Sequence, residues 1–194
     1  LGPTRDELLD LFRRHGALLD GHFRLSSGLH SGGYLQSALV LQHPAHAETL
    51  GRAIADRLRG LRPTAVLSPA LGGVVIGHEV GRALGVRAMF AERQDGILTL
   101  RRGFTLGETD RVVIIEDVVT TGRSTRETMQ VAVAAGGQVV GAGSIVDRSG
   151  GRSALGVPYE ALLEISLPTY EPDTCPLCAR GVPVLKPGSR PSAA

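Results

Sequence analysis

Thr4 and Glu7 stand three residues apart, just ahead of the apolar positions Leu8, Leu9, Leu11 and Phe12. That spacing is a capping box, in which each side chain satisfies a backbone N–H at a helix start, and the apolar residues fall on one helical stripe. Gly16 is placed to end this helix. Residues 23–25 and 34–36 then read as short extended pieces around a loop rich in Ser and Gly. Residues 45–58 return to the helical period, with Leu50, Ile54 and Leu58 on one stripe and Gly60 beyond the end. From there strand and helix alternate. Strands are predicted over 65–68, 86–91, 111–115, 138–146 and 159–165, and helices over 73–84 and 124–135, the latter stopped by Gly136-Gly137.

Short apolar strands separated by helices imply an α/β fold, with a mostly parallel central sheet flanked by helices on both faces. Ligands of such sheets sit beyond the carboxyl ends of the strands. Three loops leave strand ends there with unusual chemistry, residues 69–73, 116–124 and 147–151, and their convergence is the structural argument for a site. The chain carries neither an internal repeat nor a low-complexity segment, which fits one domain over residues 1–194, and the tail from residue 186 is expected to be loose.

Composition narrows the class. With 42% hydrophobic and 21% charged residues the chain can bury an ordinary globular core. It lacks an apolar run of the roughly 18 residues that a membrane-spanning helix needs. Residues 1–10 lack the basic and apolar regions of a secretory leader, so a cytoplasmic placement is expected. A net charge of +2, carried by scattered basic residues, argues against a nucleic-acid partner. Of the 21 basic residues only Lys186 is lysine, a bias we attribute to the source genome. Anion recognition must then use arginine forks, backbone N–H groups or a metal.

Cys175 and Cys178 form a single CxxC. A zinc site needs two further ligands, and no second Cys or His pair lies close in sequence. Prolines and a glycine surround the pair, unlike a redox CxxC that opens a helix. It reads as a structural or incidental pair, with a metal shared across a dimer left open. Of the six histidines none has a ligand spacing, and His22, His30, His43 and His46 read as surface or local hydrogen-bonding residues.

The most specific segment is residues 112–124. A buried strand, Val112-Val113-Ile114-Ile115, runs into Glu116-Asp117, then Val118-Val119 and Thr120-Thr121-Gly122-Arg123-Ser124 at the start of a helix. Hydroxyls and the N–H groups of a glycine-bearing turn at a helix N-terminus make an anion cradle. The adjacent carboxylates can accept hydrogen bonds from vicinal hydroxyls or hold a hydrated magnesium. A ligand with a phosphate and a diol, such as a ribose 5-phosphate, meets both halves. No GxxxxGK[ST] phosphate loop and no dinucleotide fingerprint is present.

This segment resembles the thirteen-residue phosphoribosyl pyrophosphate motif of type I phosphoribosyltransferases. Phe23-Arg24-Leu25-Ser26-Ser27-Gly28 with Ser31 and Tyr34, then Glu92-Arg93 through Leu100-Arg101-Arg102-Gly103-Phe104, and Asp147-Arg148, narrow the resemblance to the orotate phosphoribosyltransferase family; it extends to the tail around Cys175 and Pro187-Gly188-Ser189. The resemblance implies that fold, with a small hood formed mainly by residues 1–40 and the C-terminal segment over a core at about 45–165. It implies transfer of a phosphoribosyl group from phosphoribosyl pyrophosphate to orotate, with magnesium held mainly by the substrate and through water by Asp117. It also implies a homodimer that shares its catalytic loop, with no nucleic-acid or membrane partner. Glu116 and Asp117 would contact the ribose hydroxyls, with Val118 and Val119 beside them. Thr120, Thr121, Gly122, Arg123 and Ser124 would hold the 5′-phosphate. Leu71 and Gly72, in the loop 68–73 whose cis peptide is expected at Ala70-Leu71, would face the diphosphate together with Arg93. Thr120, Arg148, Tyr34, Leu35 and Ser26 would bind orotate. Residues 91–105 resemble the mobile catalytic loop. Lysine is common in the family at the positions of Ser26, Gly72 and Gln94, and the loop 94–103 has neither lysine nor histidine, which leaves Arg101 and Arg102 to supply its charge. The rival readings are a different purine or pyrimidine phosphoribosyltransferase, or a donor-sensing regulator that binds nucleic acid.

Overall fold

The computed structural model describes residues 2–25, 27–151 and 153–187. Helix α1 (Arg5–Arg14) begins with the capping box: the Glu7 N–H donates to Thr4 Oγ1, and the Thr4 N–H donates back to Glu7 Oε2. Leu8 and Phe12 on its stripe are buried. The chain continues through β1 (Leu18–Arg24), β2 (His30–Leu35), the one-turn α2 (Ala38–Leu41) and α3 (Pro44–Leu58). Next come β3 (Ala65–Pro69), α4 (Gly72–Leu84), β4 (Arg87–Gln94), β5 (Ile97–Leu100) and β6 (Arg111–Val119). It closes with α5 (Arg123–Ala134), β7 (Gln138–Asp147), β8 (Tyr159–Glu164), β9 (Thr169–Tyr170) and the short α6 (Pro176–Ala179). No helix among the described residues is long and apolar enough to cross a membrane.

Strands β5-β4-β3-β6-β7-β8 form one sheet, parallel throughout except for the antiparallel edge strand β5. Strands β1-β2-β9 form a separate antiparallel sheet. Alternation along β6 sends Val113 and Ile115 to one face of the large sheet and Val112 and Ile114 to the other. The first face packs on α1, α3 and α4, and the second on α5 with Leu98, Leu100 and Phe104 of the edge hairpin. Each fully buried Leu or Ile contributes about 1.5–3 kcal/mol, so the central strands hold their register by burial on both faces.

Two sequence expectations change here. Residues 116–119 belong to the strand and do not open the loop: β6 runs to Val119, paired with β7 as far as Asp147. Residues 94–103 are a hairpin for half their length. Asp95 and Gly96, with φ of +51° and +83°, make a two-residue turn that pairs Gln94 with Ile97. Positive φ at both turn positions matches the right-handed twist of the flanking strands, and Asp-Gly suits it.

Candidate active site

The connections leaving β3 and β6 diverge. From β3 the chain crosses through α4 to β4 on one side, and from β6 it crosses through α5 to β7 on the other, on opposite faces of the sheet. Neighbouring strands whose crossovers part in this way leave a crevice beyond their carboxyl ends, where α/β proteins bind ligands. The residues that meet there are Gly72, which opens α4, and Asp117 near the end of β6. A Cβ built on Gly72 would lie 2.7 Å from Asp117 Oδ1 and 3.0 Å from its carboxyl carbon. Only glycine allows that approach, and lysine at position 72 would have to displace the carboxylate. The peptide bond Ala70-Leu71 is cis, Leu71 is 87% exposed, and the Ala70 N–H is held by Ala91 O at 2.8 Å.

The two carboxylates are in different states of engagement. Glu116 is buried, and Ser124 Oγ and Thr125 Oγ1 donate to its Oε1 and Oε2 at 2.5 and 2.6 Å. Burial raises its pKa above the ordinary value, opposed by those two hydroxyls. Burial likewise raises that of Asp117, opposed by the Val118 N–H, which donates to Oδ1 at 2.9 Å. Glu116 thus serves to fix the start of α5, whereas Asp117, whose shift is opposed also by its own N–H and the Ser37 hydroxyl, makes no hydrogen bond to that helix.

Beyond them the chain turns at Gly122, φ +71°, into α5. Thr120, Thr121, Gly122, Arg123 and Ser124 line an open cleft of about 460 Å³ with Val118, Arg93 and Gly96. Thr120, Thr121 and Arg123 are exposed at its rim, and Val119 is buried beneath. Arg93 is tied by Glu127 on α5 and by the Gly96 carbonyl, and Arg123 also pairs with Glu127. Arg102 forks onto Glu92 with two bonds of 2.7 Å and lies over the Phe90 ring at 5.8 Å, whereas the exposed Arg101 guanidinium has no hydrogen bond or ion pair among the described residues.

The third loop follows β7. Asp147 is buried and accepts the Ser149 N–H at 2.6 Å. The Arg148 backbone N–H donates to Val119 O, which ties this loop to the end of β6. Arg148 Nε is buried with no hydrogen-bond partner among the described residues, and burial lowers the arginine's pKa. A guanidinium remains charged even so, so this is a desolvated cation with an unsatisfied donor. Tyr34 and Leu35 lie at the end of β2, Tyr34 tilted against Phe23 and Leu35 on the core. Ser26 lies outside the described residues, as do Gly188 and Ser189 of the tail.

No family model matches the chain. It is 52% identical over 187 residues to the orotate phosphoribosyltransferase of Pelotomaculum thermopropionicum, covering 96% of this chain and 98% of that protein. Over 179 residues it is 50% identical to that of Thermus thermophilus, covering 92% and 98%. The chain belongs to the orotate phosphoribosyltransferase family. Its fold is that of the type I phosphoribosyltransferases. The orotate phosphoribosyltransferase of Aeropyrum pernix aligns with a TM-score of 0.69 at 25% identity, over 81% of this chain and 93% of that one. That of Mycobacterium tuberculosis in complex with Fe(III) dicitrate aligns at 0.70 and 24%, over 84% and 97%. The adenine enzyme of Trypanosoma brucei, at 0.60 and 17% over 79% of each chain, shares the fold alone.

Three residues that hold side chains of the candidate site carry no role in the sequence analysis. Thr125 holds Glu116, Glu127 holds Arg93 and Arg123, and Glu92 holds Arg102. Only the Arg123–Glu127 pair had a signal, the i,i+4 spacing on a helix.

Proposed function

We propose that this chain transfers the 5-phosphoribosyl group of phosphoribosyl pyrophosphate to N1 of orotate, giving orotidine 5′-monophosphate and pyrophosphate, as a cytoplasmic homodimer. The observation that carries the reading is the meeting of three segments beyond the sheet: Gly72 at the start of α4 against Asp117, the hydroxyl-rich start of α5, and the loop after β7, whose Arg148 N–H donates to Val119 O and whose Nε is buried without a partner among the described residues. Thr120, Thr121, Gly122, Arg123 and Ser124 cradle the 5′-phosphate, and Glu116 and Asp117 face the ribose hydroxyls. Leu71 and Gly72 offer backbone N–H groups to the diphosphate. Arg148 grips the orotate carboxylate or a carbonyl with more than one donor, with Thr120, Tyr34, Leu35 and Ser26 completing the base site. The free thiols of Cys175 and Cys178 suit a reducing compartment.

The bond from C1 of the ribose to the diphosphate breaks as N1 of orotate approaches, through an oxocarbenium-like state. Orotate N1 reacts as an anion, so no strong general base is required. Asp117 would hold, through water, a magnesium ion carried by the diphosphate, and that ion would supply neutralisation of the leaving group. Asp117 suits that task because Glu116 is occupied by its two hydroxyl donors. The remaining positive charge comes from arginines placed where charge develops. Arg93 exchanges Glu127 for diphosphate, and the unpaired Arg101 swings over the site of the neighbouring subunit, excluding water as the hairpin closes. Arg102, held by Glu92 and over Phe90 at the base of the hairpin, adds its charge to that of Arg101.

The reading is tested by pyrophosphate release with donor and magnesium, comparing orotate with adenine, hypoxanthine and uracil. Release that depends on orotate is expected. Release with a purine, and none with orotate, would transfer the assignment to a different branch of the superfamily.

A further inference from the structure

The small β1-β2-β9 sheet has an unusual interior. Apart from Phe23, and Leu18 at the end that packs on the main core, its buried side chains include His22, His30 and Ser31, at 2%, 7% and 0% exposure, with Cys175 at 2% packed among them. Two imidazoles and a thiol replace the aliphatic core that such a sheet would otherwise need. A fourth soft donor, Cys178, reaches the same point from one turn further on.

The ligand atoms of His22, His30, Cys175 and Cys178 all lie within 4.8 Å of one another. His22 Nε2 and His30 Nδ1 are 2.9 Å apart. Cys175 Sγ is 3.5 Å from His22 Nε2, and Cys178 Sγ is 3.7 Å from His22 Nε2 and 3.2 Å from His30 Nδ1. In a tetrahedral zinc site, with Zn–N near 2.0–2.1 Å and Zn–S near 2.3 Å, the corresponding edges are about 3.4 Å for N to N, 3.6 Å for N to S and 3.8 Å for S to S. The three N to S distances of 3.2–3.7 Å lie within about 0.4 Å of the tetrahedral edge, the two nitrogens would part by about 0.5 Å, and no pair in the set is further apart than 4.8 Å, so a small adjustment of side chains closes the shell.

Two independent features prepare the set. His22 Nδ1 lies 2.7 Å from Val182 O. A carbonyl can only accept, so the proton sits on Nδ1 and the Nε2 lone pair points at the cysteines, as outer contacts fix a ligating histidine. The second feature is the irregularity in β1: Asp20 pairs with Gly33 but Phe23 with Ser31, so one extra residue is inserted at Gly21-His22. Such a bulge re-aims a side chain, and here it brings His22 beside His30.

We propose that His22, His30, Cys175 and Cys178 form a structural zinc site, separate from the substrate crevice. Two thiolates and two neutral imidazoles suit zinc, and four protein ligands leave no open position for chemistry. Binding releases the two thiol protons to solvent. The ion clips the β1-β2 hairpin to the segment carrying α6, across 153 residues of sequence between His22 and Cys175. That segment also runs along β1, where the Leu185 N–H donates to His22 O and the Arg24 N–H to Leu185 O. A metal cross-link there replaces hydrophobic area the small sheet lacks.

The test uses the full chain without a histidine tag, produced with zinc present and dialysed against metal-free buffer. Elemental analysis should give one zinc per chain, and both thiols should resist a thiol reagent until a strong chelator is added. The cobalt-loaded protein should show the absorption of tetrahedral thiolate coordination. Cys178→Ser, at an exposed position where folding should survive, and His30→Ala should each lose most of the zinc, and the chelator should lower the melting temperature of the parent but not of Cys178→Ser. Substoichiometric zinc in the parent after reconstitution would overturn the site, even if no variant folds. So would a mass lower by two hydrogens, marking a Cys175–Cys178 disulfide, or undiminished zinc in both variants. None of these readouts depends on transferase activity.

Discussion

Asp117 is held where ionisation is opposed by burial, while a diol or a hydrated cation requires it ionised. Its pKa and that of Glu116 are raised above the ordinary carboxylate values, Glu116 partly by the Asp117 charge. The sign follows from linkage: a carboxyl with a raised folded-state pKa favours the fold below its ordinary pKa and loses that contribution as pH rises through the raised value. Asp117→Asn should therefore melt higher than the parent at neutral pH without donor or magnesium. The gap should close as pH falls toward the ordinary Asp range near about 4. Turnover at saturating donor should nevertheless drop by about 100-fold or more. Melting curves from acid to neutral pH and steady-state rates check the two halves. A variant less stable than the parent at pH 7, or one with near-normal turnover, removes this account of the residue.

Arg148 presents the opposite sign of charge with a similar desolvation. Its Nε is buried and unpartnered, and truncating a guanidinium that a ligand carboxylate would satisfy costs roughly 2–5 kcal/mol of that contact. Arg148→Ala should raise KM for orotate by about 30-fold or more, with each 1.4 kcal/mol worth a factor of ten. KM for the ribose donor should change far less. Equal changes in both constants would mean that Arg148 does not read the base.

Among the elements, α3 and α4 cross most closely at Gly51, where an added Cβ would meet Glu79 Cβ at 2.5 Å and the Glu79 carbonyl carbon at 2.8 Å. The contact includes backbone, so the helices must separate to admit a methyl group. Gly51→Ala should cost about 1–3 kcal/mol of stability, although alanine is the better helix former. Urea unfolding measures it, and an unchanged midpoint would show that the crossing can relax. Asp95-Gly96 encodes the edge hairpin locally, as a two-residue turn with positive φ at both positions, within the segment that resembles a mobile loop. Residues 116–119 carry two carboxylates after an apolar run, and pairing with β7 keeps them extended as far as Val119.

In the whole molecule the loop cations and the phosphate cradle belong to different parts of the fold. If the hairpin acts across a dimer, Arg101→Ala/Arg102→Ala should lose at least about tenfold in turnover, because charge on the diphosphate grows only toward the transition state. Donor binding in the open state should be nearly kept. Mixing this double variant with an Asp117→Asn chain should restore activity, since each mixed dimer has one site with both parts intact. Full activity in the double variant would end the loop proposal. Absence of recovery in mixed dimers of verified composition would confine the hairpin to its own subunit.

The sequence by itself determined what short-range geometry can encode. The capping box of α1, the helical stripe of α3 and the run from Val112 to Ser124 each involve residues within a few positions of one another, where helix or strand period dictates which side chains meet. Because cradle and carboxylates occupy one strand-turn-helix unit, the heart of the candidate site was legible before any fold was known. The tertiary structure alone decided what depends on sheet order and chain return. It set Gly72 against Asp117 by pairing β3 with β6, tied Arg93 to Glu127, and buried Arg148 Nε beside the end of β6. It also gathered His22 and His30 with Cys175 and Cys178, which no spacing could connect. Contacts across such distances carry no local period. They arise only when burial of both faces of a sheet fixes which segments return to the same place.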